Sequence, residues 1–414
     1  MTSSEETTLR DTLTAYRAEA ATELANIASF WKANALDRQH GGFIGRMDHT
    51  GKVHEDAPKG AILNARILWT FSAIYRHTQS DSDRQMADRA YHYLLDHFVD
   101  KTYGGVYWSV DAEGKPLSTR KQIYALAFAI YGLSEYFLAT QEATALEACQ
   151  ELYHWIETHS FDPAQGGYLE AFSREGVLLE DLRLSEKDRN DPKTMNTHLH
   201  VLEAYANLYR IWPDKHLGQQ LKALIKVFLE RIIDPQTGHM VLFLNENWQP
   251  TADLVSYGHD IEASWLLQEA AEVLGDKELL HQVEKVAVQM AESSKEGLQP
   301  DGSLYHELDR QAQHYDKHRE WWVSAEAMVG FLNAYQLTGQ ESFLHDSIKA
   351  WQFAKTYLLD RQQGEWFWGV HNDYSLMQAE DKIGFWKCPY HNARACLEVI
   401  NRCEALFTST VQPK

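Results

Sequence analysis

Two short stretches of the chain pair a histidine with a second polar residue at helical spacing. Asn196 and His200 are four residues apart, and His259 and Glu262 are three apart, so each pair is expected to share one face of a helix. His198 then points elsewhere, which argues against a metal clamp made by His198 and His200. Imidazole groups exchange protons near neutral pH, so these faces could carry acid and base chemistry. A hydrogen-bonded core histidine is the simpler alternative for His200.

A third histidine, His391, lies in an aromatic segment near the end of the chain. Pro389 suits the turn that enters a helix, which places His391 in a first helical turn. Positive charge is disfavoured at that end of a helix, so we expect His391 to be neutral and able to accept a proton. Trp386, just upstream, is a candidate to stack on a sugar ring.

The elements that must position these residues recur along the chain. Six aspartates each open a short turn that closes at glycine and continues into aromatic or apolar residues. They are 63, 62, 72, 67 and 59 residues apart, a period longer than that of the common short solenoids, and six copies fill the chain. The aspartates are Asp37, Asp100, Asp162, Asp234, Asp301 and Asp360.

Helical hydrophobic spacing fills most of the sequence between these turns, so each of the six units has room for two helices. Twelve predicted helices in six pairs indicate an all-α protein, a closed (α/α)6 barrel that forms a single domain over residues 1–414. Extended segments at 42–47, 105–110 and 365–370 predict short β-hairpins around the mouth of the barrel.

The period also aligns reactive and aromatic residues near the start of the second helix of each unit, 20 to 38 residues after the aspartate. In a closed barrel these helix ends meet at one mouth, where ligand sites tend to form. Histidines on two sides of a carbon atom, beside an arginine that stabilises an enediolate, could remove and return a proton next to a carbonyl group. The aligned residues are Arg66, Tyr124, Asn196, His200, His259, Glu262, Trp322, Glu326 and His391.

A metal site is the main alternative for one of these pairs, because a histidine with a carboxylate three residues away can ligate a metal. Such a site needs further ligands, and the positions that the repeat aligns with His259 supply Arg66, Asn196 and Trp322 instead. We therefore expect no metal and no other cofactor. Phosphate-cradling glycine loops, dinucleotide fingerprints and nucleophile elbows do not occur in the sequence.

Composition limits the classes of partner. The formal net charge of −20 argues against nucleic acid, and no apolar run reaches the roughly 20 residues of a membrane span. The N-terminal segment lacks the pattern of a secretory signal, and the four cysteines lack the spacing of a disulfide framework. We expect a cytoplasmic monomer that binds a small molecule. The 13 tryptophans and 20 tyrosines fit a sugar ligand, although most would equally serve as core.

The longest irregular stretch, residues 172–192, is polar and charged and directly precedes the predicted helix of Asn196 and His200. Loops of this length within a compact domain are usually functional or mobile. A lid over the mouth and a solvated loop are both consistent with this sequence.

Several longer motifs resemble, in order and at matching spacing, those of the acylglucosamine 2-epimerase superfamily, and within it the members that act on cellobiose-type disaccharides. The resemblance extends from about Trp31 to the end of the chain. Tyr305 and His306 depart from it, since two larger aromatic residues are expected there, and this leaves the outer sugar subsite open. The matching motifs are Asn196–His200, Gly258–Leu267, Trp321–Met328, Gly364–Trp368 and Trp386–Asn392.

The resemblance implies an (α/α)6 barrel that epimerises, without a cofactor, C2 of the reducing-end glucose of β-1,4-linked disaccharides through a cis-enediolate. By this resemblance His259 and His391 form the acid/base pair, and His200 assists ring opening. Arg66 and Asn196 hold the enediolate oxygens. The other implied site residues are Glu262 and Glu326, which orient their partners, Trp322 and Trp386, which stack on sugar, and Tyr124.

Other functions remain open at this stage. A mannose 2-epimerase or an aldose–ketose isomerase of the same superfamily would share the enediolate and differ only in its fate. An (α/α)6 glycoside hydrolase and a sugar-binding barrel without activity belong to different classes. Hydrolysis by the usual route requires two opposed carboxyl groups and has no need for paired histidines.

Overall fold

Twelve α-helices are present in the computed structural model over the residues that it describes, 3–186 and 188–409. Three of the odd-numbered helices continue through a π-helical turn, at Leu94–Phe98, Phe228–Ile232 and Ala354–Leu358. The helices are α1 (Ser3–Asn34), α2 (Ala61–Thr78), α3 (Asp81–Tyr93), α4 (Ile123–Thr140), α5 (Ala143–His159), α6 (Met195–Ile211), α7 (Lys215–Val227), α8 (Tyr257–Leu274), α9 (Lys277–Ser294), α10 (Trp321–Thr338), α11 (Glu341–Phe353) and α12 (Tyr390–Ser409).

The even-numbered helices form an inner ring. Each packs against the next one, and α12 packs against α2, which closes the ring. Each odd-numbered helix packs on the outside of an inner helix, and α1 covers α12, so the two ends of the chain complete the sixth pair. This arrangement confirms the (α/α)6 barrel predicted from the repeat.

Inner helices of such a barrel are buried on nearly every side, and α4 is the extreme case. Among the described residues it is the one helix long and apolar enough to cross a membrane by length and composition. In this fold it is a core helix, with every residue from Ile123 to Tyr136 buried. An all-round apolar surface is expected for a helix that contacts neighbours on all sides.

All six aspartate turns are present. In each turn Oδ1 accepts the backbone N–H two residues ahead, at 2.8–3.0 Å, which is the Asx-turn that aspartate favours. Buried lysines pair with four of the aspartates: Lys59 with Asp37 at 2.7 Å, Lys121 with Asp100 at 3.0 Å, Lys193 with Asp162 at 2.8 Å, and Lys382 with Asp360. The first three lysines each lie two residues before an inner helix, so each of their ion pairs ties the start of that helix to the turn that precedes it.

Short strands join neighbouring repeats at the mouth of the barrel. A strand that enters an inner helix pairs with the strand that follows the next outer helix, as in β2–β3, β5–β6, β7–β8, β9–β10 and β12–β13, and β14 pairs with β1 across the chain ends. The strands are β1 (Met47–Asp48), β2 (Lys59–Gly60), β3 (Ser109–Val110), β4 (Pro116–Ser118), β5 (Lys121–Gln122), β6 (Ala171–Phe172), β7 (Lys193–Thr194), β8 (Phe243–Leu244), β9 (Leu254–Ser256), β10 (Glu307–Asp309), β11 (His314–Asp316), β12 (Arg319–Glu320), β13 (Gly369–Val370) and β14 (Asp381–Ile383).

The prediction of β-hairpins at the mouth is therefore only partly right. Within the described part of the chain, β3–β4 and β10–β11 are hairpins of consecutive strands, whereas the other pairs join strands that lie far apart in sequence. The alternation of residues identifies an extended segment, but the closure of the ring of inner helices decides which strand it pairs with.

His198 supplies a prediction about stability. It is fully buried on α6, with Nδ1 2.6 Å from the carbonyl oxygen of Thr194, and its Nε2 accepts the N–H of Tyr168 at 2.9 Å. The imidazole is therefore neutral, and burial lowers its pKa to about 4. Since unfolded histidine titrates near 6.5, this residue contributes stability that is fully present above pH 6.5 and is lost as the pH falls to about 4, a difference of about 3 kcal/mol.

We expect the free energy of unfolding of His198→Gln, measured in urea, to change less between pH 7 and pH 4.5 than that of the wild type. The difference is the contribution of His198. The exposed His281 offers a matched control, because His281→Gln should keep the wild-type dependence. An unchanged dependence in His198→Gln would show that other groups dominate acid destabilisation.

Candidate functional site

The N-terminal ends of the inner helices bring the predicted site residues together. Arg66 on α2 donates from Nη2 to the hydroxyl of Tyr124 on α4 at 2.9 Å. The ring of Tyr124 lies against His200 on α6 and against Trp386, with centroids 4.9 and 5.8 Å apart. Arg66, Tyr124 and His200 are buried in this layer.

The rings of His259 and His391 both lie near the ring of one tryptophan. The ring of Trp322, at the start of α10, is 4.7 Å from the ring of His259 and 5.8 Å from that of His391. Gly258 permits this contact, because a Cβ atom there would lie 2.6 Å from the indole.

A cavity of about 190 Å³ is lined by Asn196, His259 and His306, among others. The Oδ1 atom of Asn196 is buried and has no hydrogen-bond partner among the described residues, so it is available to a ligand hydroxyl. A larger groove of about 900 Å³ lies on the outside of the barrel between α1 and α11, and it contains none of the predicted site residues.

The 172–192 segment forms one wall of this cavity, through Arg183 and Arg189 among others. The carbonyl of Arg183 accepts a hydrogen bond from Gln122 at 2.8 Å, and Arg189 donates to the carbonyl of Thr251 at 3.0 Å. The segment thus lines the cavity and is held by contacts to two neighbouring repeats. A role as a lid stays a prediction.

Beneath the histidines lies a buried network of one arginine and three glutamates. Arg394 donates from Nη2 to Glu262 at 2.7 Å and to Glu326 at 2.6 Å, and its Nη1 contacts Glu203. Glu326 also lies 2.7 Å from Nδ1 of His391. The network joins α6, α8, α10 and α12 and fixes the orientation of the His391 ring.

His200 and His259 are each held through Nδ1 as well. His200 lies 3.0 Å from Glu203, and His259 lies 2.7 Å from the hydroxyl of Ser256. For both rings and for His391, Nε2 makes no hydrogen bond to any residue in the described ranges. An imidazole anchored at one nitrogen and open at the other is suited to proton transfer.

The expected pairing of His259 with Glu262 is wrong. Glu262 lies on the predicted face of α8, but its carboxylate binds Arg394 and stands 4.0 Å from Nδ1 of His391. Helical spacing gave the correct face, whereas the partner comes from α12, which the spacing along α8 cannot reveal.

The histidines are neutral at physiological pH. Burial lowers the pKa of His259 to about 3, with the other site histidines adding to the effect. Burial also lowers the pKa of His391 to about 3 despite the adjacent Glu326, and it holds the pKa of His200 well below its ordinary value. The predicted neutral state of His391 therefore agrees with the structure, with burial as its main cause.

The pKa values of the two glutamates beside His391 are shifted in opposite directions. Burial, together with the charge of Glu326, raises the pKa of Glu262. Burial acts in the same direction on Glu326, but Arg394 and His391 outweigh it and lower the pKa of that carboxyl. One ionised carboxylate therefore faces His391.

Glu262, Glu326 and His391 offer ligand atoms within 4.8 Å of one another, a spacing that a metal ion could bridge. The donor set does not fit one, because Arg394 already donates to both carboxylates. A divalent cation would have to displace a buried guanidinium from between them.

Further carboxylates fix the helix starts that carry the site. Glu365 accepts from Lys387 at 2.8 Å and from Asn392 at 2.7 Å, on either side of His391. Glu320 accepts from the indole N–H of Trp322 at 2.7 Å and of Trp368 at 3.1 Å.

The sequence interpretation missed three members of the site, Arg394, Glu203 and Tyr390. Tyr390 contacts both Glu203 and Arg394. Spacing offered a signal for two of them, since Arg394 follows His391 by three residues and Glu203 follows His200 by three.

Comparisons with known proteins agree with this geometry. The family model described as N-acylglucosamine 2-epimerase matches residues 42–395. A cellobiose 2-epimerase of Bacteroides fragilis is 50% identical over 374 residues, covering 90% of this chain and 95% of that protein. The solved structure of cellobiose 2-epimerase from Bacillus thermoamylovorans superimposes with a TM-score of 0.90 at 42% identity, covering 94% of this chain and 100% of that one. A D-mannose isomerase structure, at 20% identity and a TM-score of 0.80 over 94% of this chain and 98% of that one, shares the fold.

Proposed function

The chain belongs to the N-acylglucosamine 2-epimerase family, and from that premise we propose that it epimerises C2 of the reducing-end glucose of β-1,4-linked disaccharides. Cellobiose would become glucosyl-mannose, and lactose would become epilactose. The observation that carries the proposal is the convergence of two neutral imidazoles, His259 and His391, on the ring of Trp322. Relatives of 50% and 42% identity that cover nearly the whole chain support this substrate class.

The reaction needs a base on each face of C2. After ring opening, assisted by His200, Nε2 of one histidine takes the C2 proton, and the electron pair left behind forms the C1–C2 double bond of a cis-enediolate. Arg66 and Asn196 bind its oxygens, where negative charge develops. The opposite histidine delivers the proton on its Nε2 to the other face of C2 and takes up another from solvent, and the first histidine releases its proton to solvent.

Both rings are anchored for this exchange. The ionised Glu326 holds Nδ1 of His391 at 2.7 Å and stabilises the imidazolium that forms when Nε2 takes a proton. Ser256 holds Nδ1 of His259 at 2.7 Å without adding a charge. His391 therefore has the stronger support for accepting a proton from carbon.

The test is incubation of the enzyme with cellobiose, lactose, glucose and mannose in D2O, followed by proton NMR of the products. We expect a C2-epimeric disaccharide with deuterium at C2, and kcat/KM for cellobiose or lactose at least about tenfold above that for free glucose. Equal or better activity on mannose would replace the disaccharide proposal with a monosaccharide epimerase. A ketose as the main product would indicate an isomerase, and cleavage to two monosaccharides would indicate a hydrolase.

Aromatic stacking on the sugar gives a prediction about KM. We expect Trp386→Ala to raise KM for cellobiose by about 2- to 13-fold, because such contacts contribute roughly 0.5 to 1.5 kcal/mol. Trp322→Ala should raise KM as well and should also lower kcat, since that ring touches both histidines. Steady-state kinetics separate the two effects. Tyr103→Ala, at an exposed ring on the turn after α3, is the control and should leave both constants unchanged.

Metal independence is a further part of the proposal. Because Arg394 fills the position between Glu262 and Glu326, we expect full activity after exhaustive treatment with EDTA. The measurement is turnover of the chelated enzyme with and without added divalent metals. Activity that is lost and then restored by one equivalent of metal would assign Glu262, Glu326 and His391 as ligands.

A further inference from the structure

Buried cations on the strands that enter the inner helices tie those helices to the preceding turns, but the fourth repeat departs from this rule. Lys59, Lys121 and Lys193 each stand two residues before an inner helix and pair with the aspartate of the turn before it. The corresponding residue before α8 is Val255. The strand that leads to His259 therefore carries no cation at this position.

In the fourth repeat the ion pair runs in the opposite direction. His239 lies in the turn after α7, and its Nδ1 is 2.7 Å from Oδ2 of Asp260 in the first turn of α8. The backbone N–H of Met240 donates to the other oxygen of Asp260 at 2.9 Å. Both side chains are buried, with 2% of His239 and none of Asp260 exposed. The cation comes from the turn and the carboxylate from the helix.

The groups around His239 favour its charged form. Its Nε2 lies 3.2 Å from the carboxylate of Glu296, which follows α9, and the ring of Tyr257 packs at 6.0 Å. Burial disfavours the charge, and Arg310 opposes it, but Asp260 and Glu296 outweigh both and raise the pKa of His239. Nδ1 of His239 hydrogen-bonds Asp260, whereas its Nε2 has no hydrogen-bond partner among the described residues and interacts with Glu296 through charge alone.

Asp260 is the chain neighbour of His259, so the pair fixes the helix turn that carries the proposed acid/base group. Ser256 holds His259 from the strand side at 2.7 Å, and His239 with Met240 holds Asp260 from the turn side. Without the second anchor the first turn of α8 would depend on Ser256 and the strand pairing alone.

We propose that His239 is a positioning residue for His259, acting through Asp260 on the first turn of α8. The inference rests on the proposed function, because it takes His259 as the acid/base group. A group whose pKa is raised on folding stabilises the protein fully below its unfolded pKa, and this contribution is lost as the pH rises through the folded pKa. The anchor therefore weakens as the pH rises through the pKa of His239.

Two substitutions separate charge from shape. His239→Leu removes the ion pair, and His239→Asn keeps an N–H donor near the position of Nδ1 without a charge. We expect kcat of His239→Leu for cellobiose to fall about 10- to 100-fold with KM within twofold, because small misplacement of a catalytic group has effects of this size. His239→Asn should recover part of kcat, and its kcat should no longer fall as the pH rises through the pKa that His239 has in the wild type.

A readout that needs no substrate accompanies the kinetics. In protein labelled with 13C-histidine, the ring signal of His259 is the one missing from His259→Asn, and we expect it to shift or broaden in His239→Leu at pH 7. This signal tests the anchor even if the wild type fails to epimerise any sugar, so the two proposals fail separately. An unchanged kcat together with an unchanged His259 signal in His239→Leu would overturn the inference, as would a loss of stability with kcat intact.

Discussion

Replacing either His259 or His391 by alanine is expected to abolish epimerisation while the barrel stays folded. General acid and base groups contribute about 10²- to 10⁴-fold to turnover, and the proposed reaction needs one on each face of C2. Neither ring holds the fold together, since His259 binds only Ser256 and His391 binds the Glu326 carboxylate, which Arg394 retains in the variant. Turnover of cellobiose followed by proton NMR measures the loss.

The two variants should also differ from each other in D2O. Each keeps a base on one face of C2, so each should exchange the C2 proton of one epimer for deuterium without forming the other epimer. His281→Ala, at an exposed position, is the control and should match the wild type. More than roughly a tenth of wild-type turnover in His391→Ala would remove this residue from the acid/base pair.

Replacing Arg394 by methionine is expected to have the largest effect on stability. Methionine keeps an unbranched side chain in the position of the arginine stem but leaves Glu203, Glu262 and Glu326 without their shared cation. Breaking a buried ion pair by removing one partner typically costs about 3 to 5 kcal/mol of stability. Activity should fall as well, because the loss of the Arg394 charge favours protonation of Glu326. Unfolding in urea and kcat at pH 7 measure the two losses.

A surface arginine provides the comparison. Arg17 pairs with Glu404 at 2.9 Å with about half of each side chain exposed, 41% and 52%, so Arg17→Met should change stability by no more than about 1 kcal/mol. If Arg394→Met does not fold, Glu203→Gln tests the same network with a smaller change, and we expect reduced kcat in a folded protein. Wild-type stability and activity in both Arg394→Met and Glu203→Gln would show that the network has no role in the site.

The fold was accessible to sequence reasoning because one local interaction repeats six times. Each aspartate makes its Asx-turn with residues directly beside it in the chain, so the turn can be identified without tertiary structure. The period then aligned the inner helices, and with them Arg66, His200, His259 and His391. Strand pairing was less accessible, since β14 finds β1 only when the ring closes.

The sequence by itself determined which residues reach the mouth, because helical spacing assigns a side chain to a face and the repeat assigns that face to the inside. Only the tertiary structure decided which side chains form hydrogen bonds and ion pairs with each other there. Glu262 lies three residues from His259 and yet binds Arg394, 132 residues away, because the buried guanidinium donates to carboxyl groups from three helices at once. The partner of a buried charge depends on packing between helices, and residue spacing along one helix does not predict that packing.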